Sequence, residues 1–175
     1  MEVEYTAENI FKVFRVSWTS YVSSFVLFVV HIAILYGIYY LLTHTVHRWI
    51  NFSPNVLNII AYAAIALAAV RLIFFVINIL SLKSVALYTN SDGVWVYSGI
   101  FPWSKGSSGV KWRDMDSATY KTGFLSWLLK TYDVRIEHRF TKENEIALYS
   151  IFNGHKAVMH INEMHKKFIA GGVLE

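Results

Sequence analysis

Two long apolar runs dominate the first half of the sequence and predict a pair of membrane-spanning helices. The first run, residues 22–42, contains no Asp, Glu, Lys or Arg. The second, about residues 56–82, follows Ser53 and Pro54, which are favoured at the N-cap and at the first position of a helix. At ~1.5 Å per residue, each run covers a hydrocarbon core of ~30 Å. Two such runs in succession predict an α-helical membrane hairpin over residues 21–82.

Residues 1–20 are predicted to form an interfacial helix that leads into the first span. In helical form this segment places four apolar side chains on one side, those of Ile10, Phe11, Phe14 and Trp18. A plain helical extension of the first span is the alternative. A cleaved signal peptide is not expected, because Glu2, Glu4 and Glu8 precede an apolar run that is too long for a typical signal.

The basic residues beside the two spans predict the orientation of the hairpin. Lys12 and Arg15 precede the first span and Lys83 follows the second, whereas the connecting segment between Leu42 and Ser53 carries Arg48 alone. Lys and Arg accumulate on the cytoplasmic side of membrane proteins. We therefore expect a multi-pass protein with both termini in the cytoplasm and a short loop outside.

Small residues on both predicted spans are candidates for close helix–helix packing. Ala33 and Gly37 are four apart on the first span, and Ala61, Ala64 and Ala68 share a face of the second. Both sets fall in the outer half of the membrane when residues are counted from the outer surface. Small side chains let two membrane helices approach closely, so these residues predict a packed hairpin.

Arg71 is a permanent charge inside the second apolar run, and it is the main candidate for an intramembrane contact. If the span begins near Leu57, Arg71 lies ~9 Å from the cytoplasmic edge at ~1.5 Å per residue. One interpretation is that its side chain extends to the inner headgroups. The other is that it binds an acceptor in another chain, or the hydroxyls of Tyr21, Ser23 or Ser24.

From residue 83 onward the hydrophobic period becomes that of a strand, and residues 83–175 are predicted to form a small antiparallel β domain. Short alternating runs predict strands over 84–89, 94–99, 133–140, 146–152 and 156–161, with one long or two short strands over 110–121. A brief helical turn is expected over 124–132, and a helix capped by Asn162 over 162–172. The predicted fold is a strongly bent sheet or barrel that is capped by a C-terminal helix.

Three stretches of this domain resemble the bacterial pleckstrin-homology domains of the membrane-anchored type. They are YTNSDGVWVYSG at 88–99, WRDMDS at 112–117 and FLSWLLKTYDVRI at 124–136. The likeness covers about residues 83–170, and the preceding hairpin matches the layout of the family. Tyr132 stands where the family commonly has glycine, and the hairpin near 141–145 is longer. The resemblance implies a pleckstrin-homology-like fold on a bacterial inner-membrane anchor, and it implies no particular activity.

The polar residues form no complete catalytic or metal-binding pattern. The sequence has no cysteine, and His44 and His47 have no carboxylate beside them. Asp114 and Asp116 share a predicted strand face without a neighbouring nucleophile or base. Three histidines spaced by five are expected to be solvent-exposed or partly packed: His155, His160 and His165. We therefore expect no enzyme activity, no cofactor, no metal and no small-molecule substrate.

The charge distribution limits the kinds of partner. The net charge of +4 is mild and the later part of the chain has no basic run, so a nucleic-acid partner is not expected. The NSDG turn after the first strand of the domain lacks the basic residues that bind phosphoinositides in eukaryotic pleckstrin-homology domains. Trp103 and Lys105, on a predicted exposed loop, suit a membrane surface or a partner groove. Packing of Trp103 on its own domain is the alternative.

Together these features predict a membrane-anchored scaffold or assembly protein that acts by protein–protein contact within the bilayer or at its surface. Its expected partners are the lipid bilayer and either further copies of this chain or another membrane protein. A second hypothesis is an anionic-lipid-binding or envelope-stress module. A third is a membrane-surface enzyme with an active site around Arg71 and the histidines.

Overall fold

The structure is a computed structural model that describes residues 10–50, 52–140 and 144–171. The chain divides into two compact units. The hairpin unit comprises Tyr21–Leu80, and the β unit combines Met1–Ser20 with Ser81–Glu175. The hairpin unit is therefore an insertion within the β unit rather than a segment that precedes it.

The hairpin unit is built from the two long apolar helices that the sequence predicts. The helical elements are α1 (Trp18–Tyr40), a π-helical segment (Leu41–Val46), α2 (His47–Ile50) and α3 (Pro54–Ser84). Trp18–Ile50 and Pro54–Ser84 are each long and apolar enough, by length and composition, to cross a membrane. Neither α1 nor α3 buries a single residue within this chain, so their apolar surfaces are left uncovered.

The β unit contains two small antiparallel sheets and two helices, which agrees with the general architecture predicted for this part of the chain. The first sheet has the order β1 (Lys12–Arg15), β2 (Ala86–Thr89), β3 (Gly93–Ser98), β4 (Gly106–Lys111). The second has the order β5 (Met115–Lys121), β6 (Thr131–His138), β7 (Asn144–Phe152). The helices are α4 (Phe124–Leu128) and α5 (Gly154–Ile169).

One hydrophobic core joins the two sheets and α5. Alternate strand residues point into it, as the two-residue period of a β-strand requires. Its fully buried members include Leu87, Val94, Trp112, Met115, Val134, Ile136, Ile151 and Ile161. The indole Nε1 of Trp112 donates to the carbonyl of Asn90 over 3.0 Å, so the polar atom of this large buried side chain is satisfied.

The predicted interfacial helix is wrong for Lys12–Arg15, which form strand β1; residues 1–9 lie outside the described part of the chain. β1 pairs with β2 in antiparallel register, from Lys12 opposite Thr89 to Arg15 opposite Ala86. Phe14 is buried in the core while its neighbours Val13 and Arg15 are exposed. Buried and exposed side chains therefore alternate here as they do in a strand. The pairing partner, β2, follows the hairpin unit in the sequence.

The strand predicted over 156–161 and the helix start predicted at Asn162 are also wrong. Both stretches belong to α5, which begins at Gly154. Its buried residues recur with helical spacing: Ala157, Val158, Ile161, Met164 and His165. Asn162 is in mid-helix, where its Oδ1 accepts from the backbone N–H of Ala118 over 3.1 Å and its Nδ2 donates to the Ala118 carbonyl over 2.9 Å. It thereby satisfies backbone groups that an irregularity in the β5–β6 register leaves unpaired.

The region 106–121 contains two strands, as one of the two alternatives for 110–121 proposed. β4 already begins at Gly106, within a stretch that the sequence predicted as loop, and β5 belongs to the other sheet. The turn between them, 112–114, therefore carries the chain from one sheet to the next.

The placement of β1 generates a stability prediction. Phe14→Ala should lower the free energy of unfolding of the β unit by about 3 kcal/mol, because it removes a buried aromatic ring and leaves a cavity. Val13→Ala, at the partly exposed neighbouring position, should lower it by about 0.5 kcal/mol or less. Urea unfolding of the full chain in mild detergent, followed by near-ultraviolet circular dichroism, measures both. Equal stabilities for the two variants would contradict a structural role for β1.

Candidate functional site

Arg71 and His31 form a polar pair between the two long apolar helices. The Nη2 of Arg71 in α3 lies 3.4 Å from the Nδ1 of His31 in α1. Each residue is about 20 Å along its helix from the β unit, counted from Trp18 or Ser84 at ~1.5 Å per residue. The two polar groups therefore lie at matching positions along the hairpin. His31 is the one histidine in the first apolar run, and that signal could have identified it as a partner for Arg71.

The pair does not satisfy all of the hydrogen-bonding groups of Arg71. The His31 Nδ1 also lies 2.6 Å from the carbonyl of Leu27. It either donates its proton to that carbonyl or, in the other tautomer, accepts from Arg71. The Nε of Arg71 is shielded from solvent and has no hydrogen-bond partner in the described part of the chain. Arg71 thus keeps at least one donor for which this chain supplies no acceptor.

The hydroxyls that the sequence suggested for Arg71 lie elsewhere on α1. Tyr21, Ser23 and Ser24 follow Trp18 within the first two turns, whereas His31 lies about two turns further along. In the described residues the hydrogen bond of Arg71 goes to His31 and none goes to these three hydroxyls. Arg71 is thus directed across the hairpin to α1.

The small residues of α3 line a groove, but those of α1 do not. Ala61, Ala64 and Ala68 face a groove of about 320 Å³ between the helices. The opposite wall carries larger side chains, those of Ile32, Leu35, Tyr36 and Tyr39. Ala33 is exposed, and a Cβ built on Gly37 would meet nothing within 4 Å. The two small faces are therefore not packed against each other within one chain, and the α1 face remains open.

Aromatic rings hold α1 and α3 together at the level nearer the β unit. Phe28 stacks on Phe75 with ring centroids 4.6 Å apart, and Phe25 approaches Phe75 at 6.4 Å. At the opposite end, the N–H of Phe52 donates to the Nδ1 of His47 over 2.9 Å, which closes the connection into α3. His47 therefore has a structural contact, and His44 stacks on the ring of Tyr40.

The chain leaves and rejoins the β unit at neighbouring positions. β1 ends at Arg15, directly opposite Ala86 at the start of β2. β3 and β4 end their pairing at the same edge, with Ser98 opposite Gly106. We call this the hairpin end of the β unit. It contains 15–19, 83–86, loop 99–105, segment 121–131 and residues 150–156.

Segment 121–131, which contains α4, is fastened to the first turn of α1. The Thr131 hydroxyl donates to the Ser17 hydroxyl over 3.0 Å and lies 3.1 Å from the Thr19 hydroxyl. The Ser17 N–H donates to the carbonyl of Ser150 over 2.7 Å, and Val16 forms an isolated bridge with Ile151. These bonds fix α4 beside the point where the chain leaves the β unit.

Loop 99–105 is fastened in the same way to the last turn of α3. The N–H of Gly99 donates to the Ser84 hydroxyl over 3.2 Å. Within the loop, Lys105 N–H donates to the Phe101 carbonyl over 3.0 Å. Gly99 has a φ of +115°, and a Cβ there would collide with the Ser104 carbonyl, so the turn requires glycine. Loop 99–105 and segment 121–131 are thus bonded to Ser84 and to Ser17, respectively, within the β unit.

Both of these segments present large apolar side chains to solvent. Trp103 is 82% exposed and stacks on Phe101 with centroids 5.0 Å apart, so it does not pack into the core of its own domain. Lys105 is exposed beside it. The exposed apolar residues of the other segment are Phe124, Leu125, Trp127 and Leu128. Sequence reasoning identified Trp103 and predicted the brief helical turn that contains α4, but it did not identify the exposed apolar surface of that turn.

Acidic side chains are unevenly distributed along the β unit, whereas cationic side chains occur towards both ends. The cationic side chains at the hairpin end are those of Arg15, Lys83, Lys105, Lys121, Lys130 and Lys156. Asp133 is the acidic residue among the described residues of this end, and its Oδ1 accepts from the Ser150 N–H over 3.0 Å. Acidic side chains towards the opposite end are those of Asp92, Asp114, Asp116, Glu137 and Glu163. The hairpin end is therefore strongly basic.

Three residues at the hairpin end have left-handed backbone conformations. They are Lys130, Ser150 and Asn153, with φ values of 55°, 58° and 52°. Such a conformation costs a residue other than glycine about 1–2 kcal/mol. Lys130 ends the α4 segment, and its carbonyl accepts from the Asn153 N–H over 2.9 Å. The surrounding hydrogen bonds therefore hold this part of the backbone in a fixed arrangement.

The remaining candidate residues are dispersed. Asp114 lies in a turn, where its Oδ1 is 3.2 Å from the Nε of Arg113, and Asp116 is exposed on β5. His155 and His160 are partly packed on α5, while His165 is buried, which corrects the expectation for that residue. Among the described residues, no group of three His, Cys, Asp or Glu side chains is placed to hold a metal ion.

Burial lowers the pKa of the His165 imidazole below its ordinary value of 6.5, and the charge of Arg139 acts in the same direction. Burial also lowers the pKa of His160, with Lys12 as the next cause. The ring of His165 lies 6.5 Å from that of Trp112, nearly parallel to it. Both imidazoles are therefore neutral in the folded β unit near neutral pH.

A comparison with protein-family models, with curated proteins and with solved structures found no match to this chain. The proposals on function therefore rest on the geometry of each of the two units.

The histidine pKa shifts predict how stability depends on pH. A pKa that is lower in the folded state means that the unfolded chain binds more protons below pH 6.5, so stability falls as the pH drops through that value. Thermal unfolding of the full chain in detergent, measured between about pH 7.5 and pH 5, should show this loss. Replacing both residues, with His160→Gln and His165→Phe, should flatten the dependence. An unchanged slope would contradict the assignment.

Proposed function

We propose that this chain is a membrane-anchored assembly protein whose hairpin associates with further copies of itself inside the bacterial inner membrane. The β unit is a pleckstrin-homology-like module that the hairpin holds at the cytoplasmic face. The proposal assigns the chain a binding role and no catalytic one.

The uncovered surfaces of the two long helices support membrane insertion. Neither α1 nor α3 buries a residue, although both are apolar on all sides. Exposing apolar surface to water costs roughly 25 cal/mol per Å², and a helix that is hydrophobic all round needs cover from lipid or from other helices. A bilayer supplies that cover along both helices.

The pairing of β1 with β2 supports the hairpin topology. Because Arg15 lies opposite Ala86 in one sheet, both ends of the inserted hairpin must emerge on the same side of the membrane. Arg15 and Lys83 mark that side as basic, which is the cytoplasmic pattern. Trp49 and the rest of the short connection then lie outside.

The unsatisfied donor of Arg71 is the observation that carries the assembly proposal. Polar groups without partners are costly in hydrocarbon, and intramembrane ionisable residues face helix partners or water rather than lipid. The Arg71 Nε has no partner in the described chain, and its Nη2 reaches only the shared Nδ1 of His31. A carbonyl or hydroxyl oxygen on a neighbouring hairpin would satisfy the remaining donors.

Two small-residue faces support the same proposal. On α1, Ala33 is exposed and a Cβ at Gly37 would meet no atom of the described residues within 4 Å, while Ala61, Ala64 and Ala68 border an unfilled groove. Small faces permit close approach between membrane helices, where packing and interhelical hydrogen bonds drive association. The small-residue face of α1 in one copy can then pack into the groove beside α3 in another copy.

An anionic-lipid-binding module is the second candidate function. It is favoured by the basic hairpin end and by the exposed Trp103. This role is compatible with assembly, because it uses the β unit and leaves the hairpin free to associate.

Replacing Arg71 tests the assembly proposal. Arg71→Leu removes all of the donors, and Arg71→Lys lacks the planar fork that binds two oxygens. Both variants should weaken self-association by about tenfold, equivalent to ~1.4 kcal/mol. Leu72→Ala, at the adjacent lipid-exposed position, is the control and should behave as wild type. The measurement is the protein mass of the detergent-solubilised chain across a dilution series.

Two outcomes would contradict the proposal. The first is a wild-type mass that is monomeric at every concentration. The second is an Arg71→Leu variant with the same dissociation curve as wild type, which would assign Arg71 to its contact with His31 alone.

A further inference from the structure

We infer that the hairpin end of the β unit forms a second membrane contact, in which α4 and loop 99–105 insert into the headgroup layer of an anionic bilayer. The inference rests on the membrane anchoring in the proposed function, and it adds an orientation: the β unit lies on the membrane with these two segments as its points of contact. It does not depend on self-assembly.

The hydrogen bonds of the β unit hold both segments beside the ends of the apolar helices. Thr131, directly after segment 124–130, is bonded to Ser17 and contacts Thr19 in the first turn of α1. Ser84, in the last turn of α3, accepts from Gly99 at the start of loop 99–105. Once the helices enter a bilayer, neither segment can be far from its surface.

The side chains of the two segments are those that the bilayer interface favours. Phe124 and Trp103 are 77% and 82% exposed, although water is a poor environment for both. Trp partitions to the headgroup boundary, where its indole N–H stays wet while the rest of the ring leaves water. Phe and Leu bury their apolar side chains at the same boundary. Lys121 and Lys130 flank α4, and their long stems can lie along apolar surface while the ammonium reaches outward.

The surrounding charge favours lipid over a protein partner as the occupant. Each apolar segment lies within a field of exposed cations, and the Asp133 carboxylate nearby already accepts a backbone hydrogen bond. The inner leaflet of a membrane is negatively charged and attracts basic residues that lie next to a span. The positive charge of the hairpin end is therefore complementary to the negatively charged membrane surface that lies next to it once the two helices span the bilayer.

A cavity at the same end has the lining expected for a lipid headgroup. It measures about 390 Å³, and its walls include Trp127 and Leu128 on the α4 side and Lys130 and Lys156 as cations. A second cavity of about 410 Å³ shares Lys156 and adds Lys12 and Arg15. Phosphate groups would face the cations while the acyl chains continue along the exposed apolar side chains. The ligand class is thus the anionic phospholipid of the membrane itself.

The chain offers a matched pair of positions for a test. Phe124 and Phe140 are the same residue type with nearly equal exposure, 77% and 75%. Phe124 lies at the hairpin end, and Phe140 lies in the turn after β6 at the opposite end. Because the sequence has no cysteine, Phe124→Cys and Phe140→Cys each provide one labelling site. Ile65→Cys in the middle of α3 is the reference for membrane insertion.

Each single-cysteine variant of the full chain is labelled with an environment-sensitive fluorophore and reconstituted into vesicles. One set of vesicles contains phosphatidylglycerol, and the other is phosphatidylcholine alone. Quenching by lipids with a nitroxide near the headgroup, or on the acyl chain for the probe at 65, is compared with quenching by acrylamide in water. In phosphatidylglycerol vesicles the probe at 124 should be quenched by the lipid nitroxide and protected severalfold from acrylamide. The probe at 140 should show the reverse.

The outcomes separate this inference from the proposed function. Loss of lipid quenching at position 65 would overturn the membrane anchoring on which both rest. Lipid quenching at 65 together with full acrylamide access at 124 would overturn the docking inference alone. Protection at 124 that grows with the protein-to-lipid ratio would assign the surface to a second copy of the chain, and it would also overturn the lipid inference.

A charge substitution tests the role of the lysines without changing the backbone. Asn tolerates the left-handed conformation that Lys130 adopts at φ 55°. Lys121→Gln with Lys130→Asn should reduce the protection at 124 in phosphatidylglycerol vesicles to the level seen in phosphatidylcholine. Lys111→Gln with Lys167→Gln, at the opposite end, should leave it unchanged. Equal effects of the two pairs would contradict a specific cationic contact.

Discussion

The antiparallel pairing of β1 with β2 is the constraint on which the rest of the structure depends. It places Arg15 opposite Ala86 although the whole hairpin unit separates them in the sequence, so the hairpin unit is an insertion between two neighbouring strands of one sheet. Burial of Phe14 and the bond from Ser17 to Ser150 add core and second-sheet contacts to that pairing. If the two long helices span a bilayer, as proposed, a chain closed in this way crosses it an even number of times between the two strands and keeps β1 and β2 on one side.

This closure also explains why functional features gather at one end of the β unit. The chain enters α1 from the hairpin end of the β unit and returns to it from α3. The same end contains α4, loop 99–105 and the basic side chains. The left-handed residues Lys130, Ser150 and Asn153 hold that edge in place. In the hairpin itself, Arg71 and His31 lie at matching positions, and the Nε of Arg71 has no hydrogen-bond partner among the residues that the structure describes. The proposed lipid contact therefore rests on one end of the β unit, and the proposed self-association rests on the hairpin unit.

The sequence predicted the features that depend on local composition. The apolar runs specify α1 and α3, and the alternation after residue 83 predicts most strands of the two sheets. β1 was missed because its pairing partner lies beyond the hairpin, so Phe14 looked like one face of a helix. The start of α5 was missed because Ala157, Val158 and Ile161 resemble a strand over six residues, and only the longer spacing to His165 shows the helix. The contact of Arg71 with His31 and the exposure of α4 depend on tertiary placement, which the sequence does not encode locally.

The accessibility of single cysteines tests most directly whether β1 and the rest of the β unit lie on the same side of the membrane. Single cysteines at Lys12 in β1, Trp49 in the connection and Phe140 after β6 occupy exposed positions in a sequence that has no cysteine of its own. In cells, the account predicts that a membrane-impermeant maleimide labels the cysteine at 49 from outside, and that it labels those at 12 and 140 only after the membrane is permeabilised. Labelling of positions 12 and 140 from opposite sides of the membrane would separate β1 from the rest of its sheet and contradict the account.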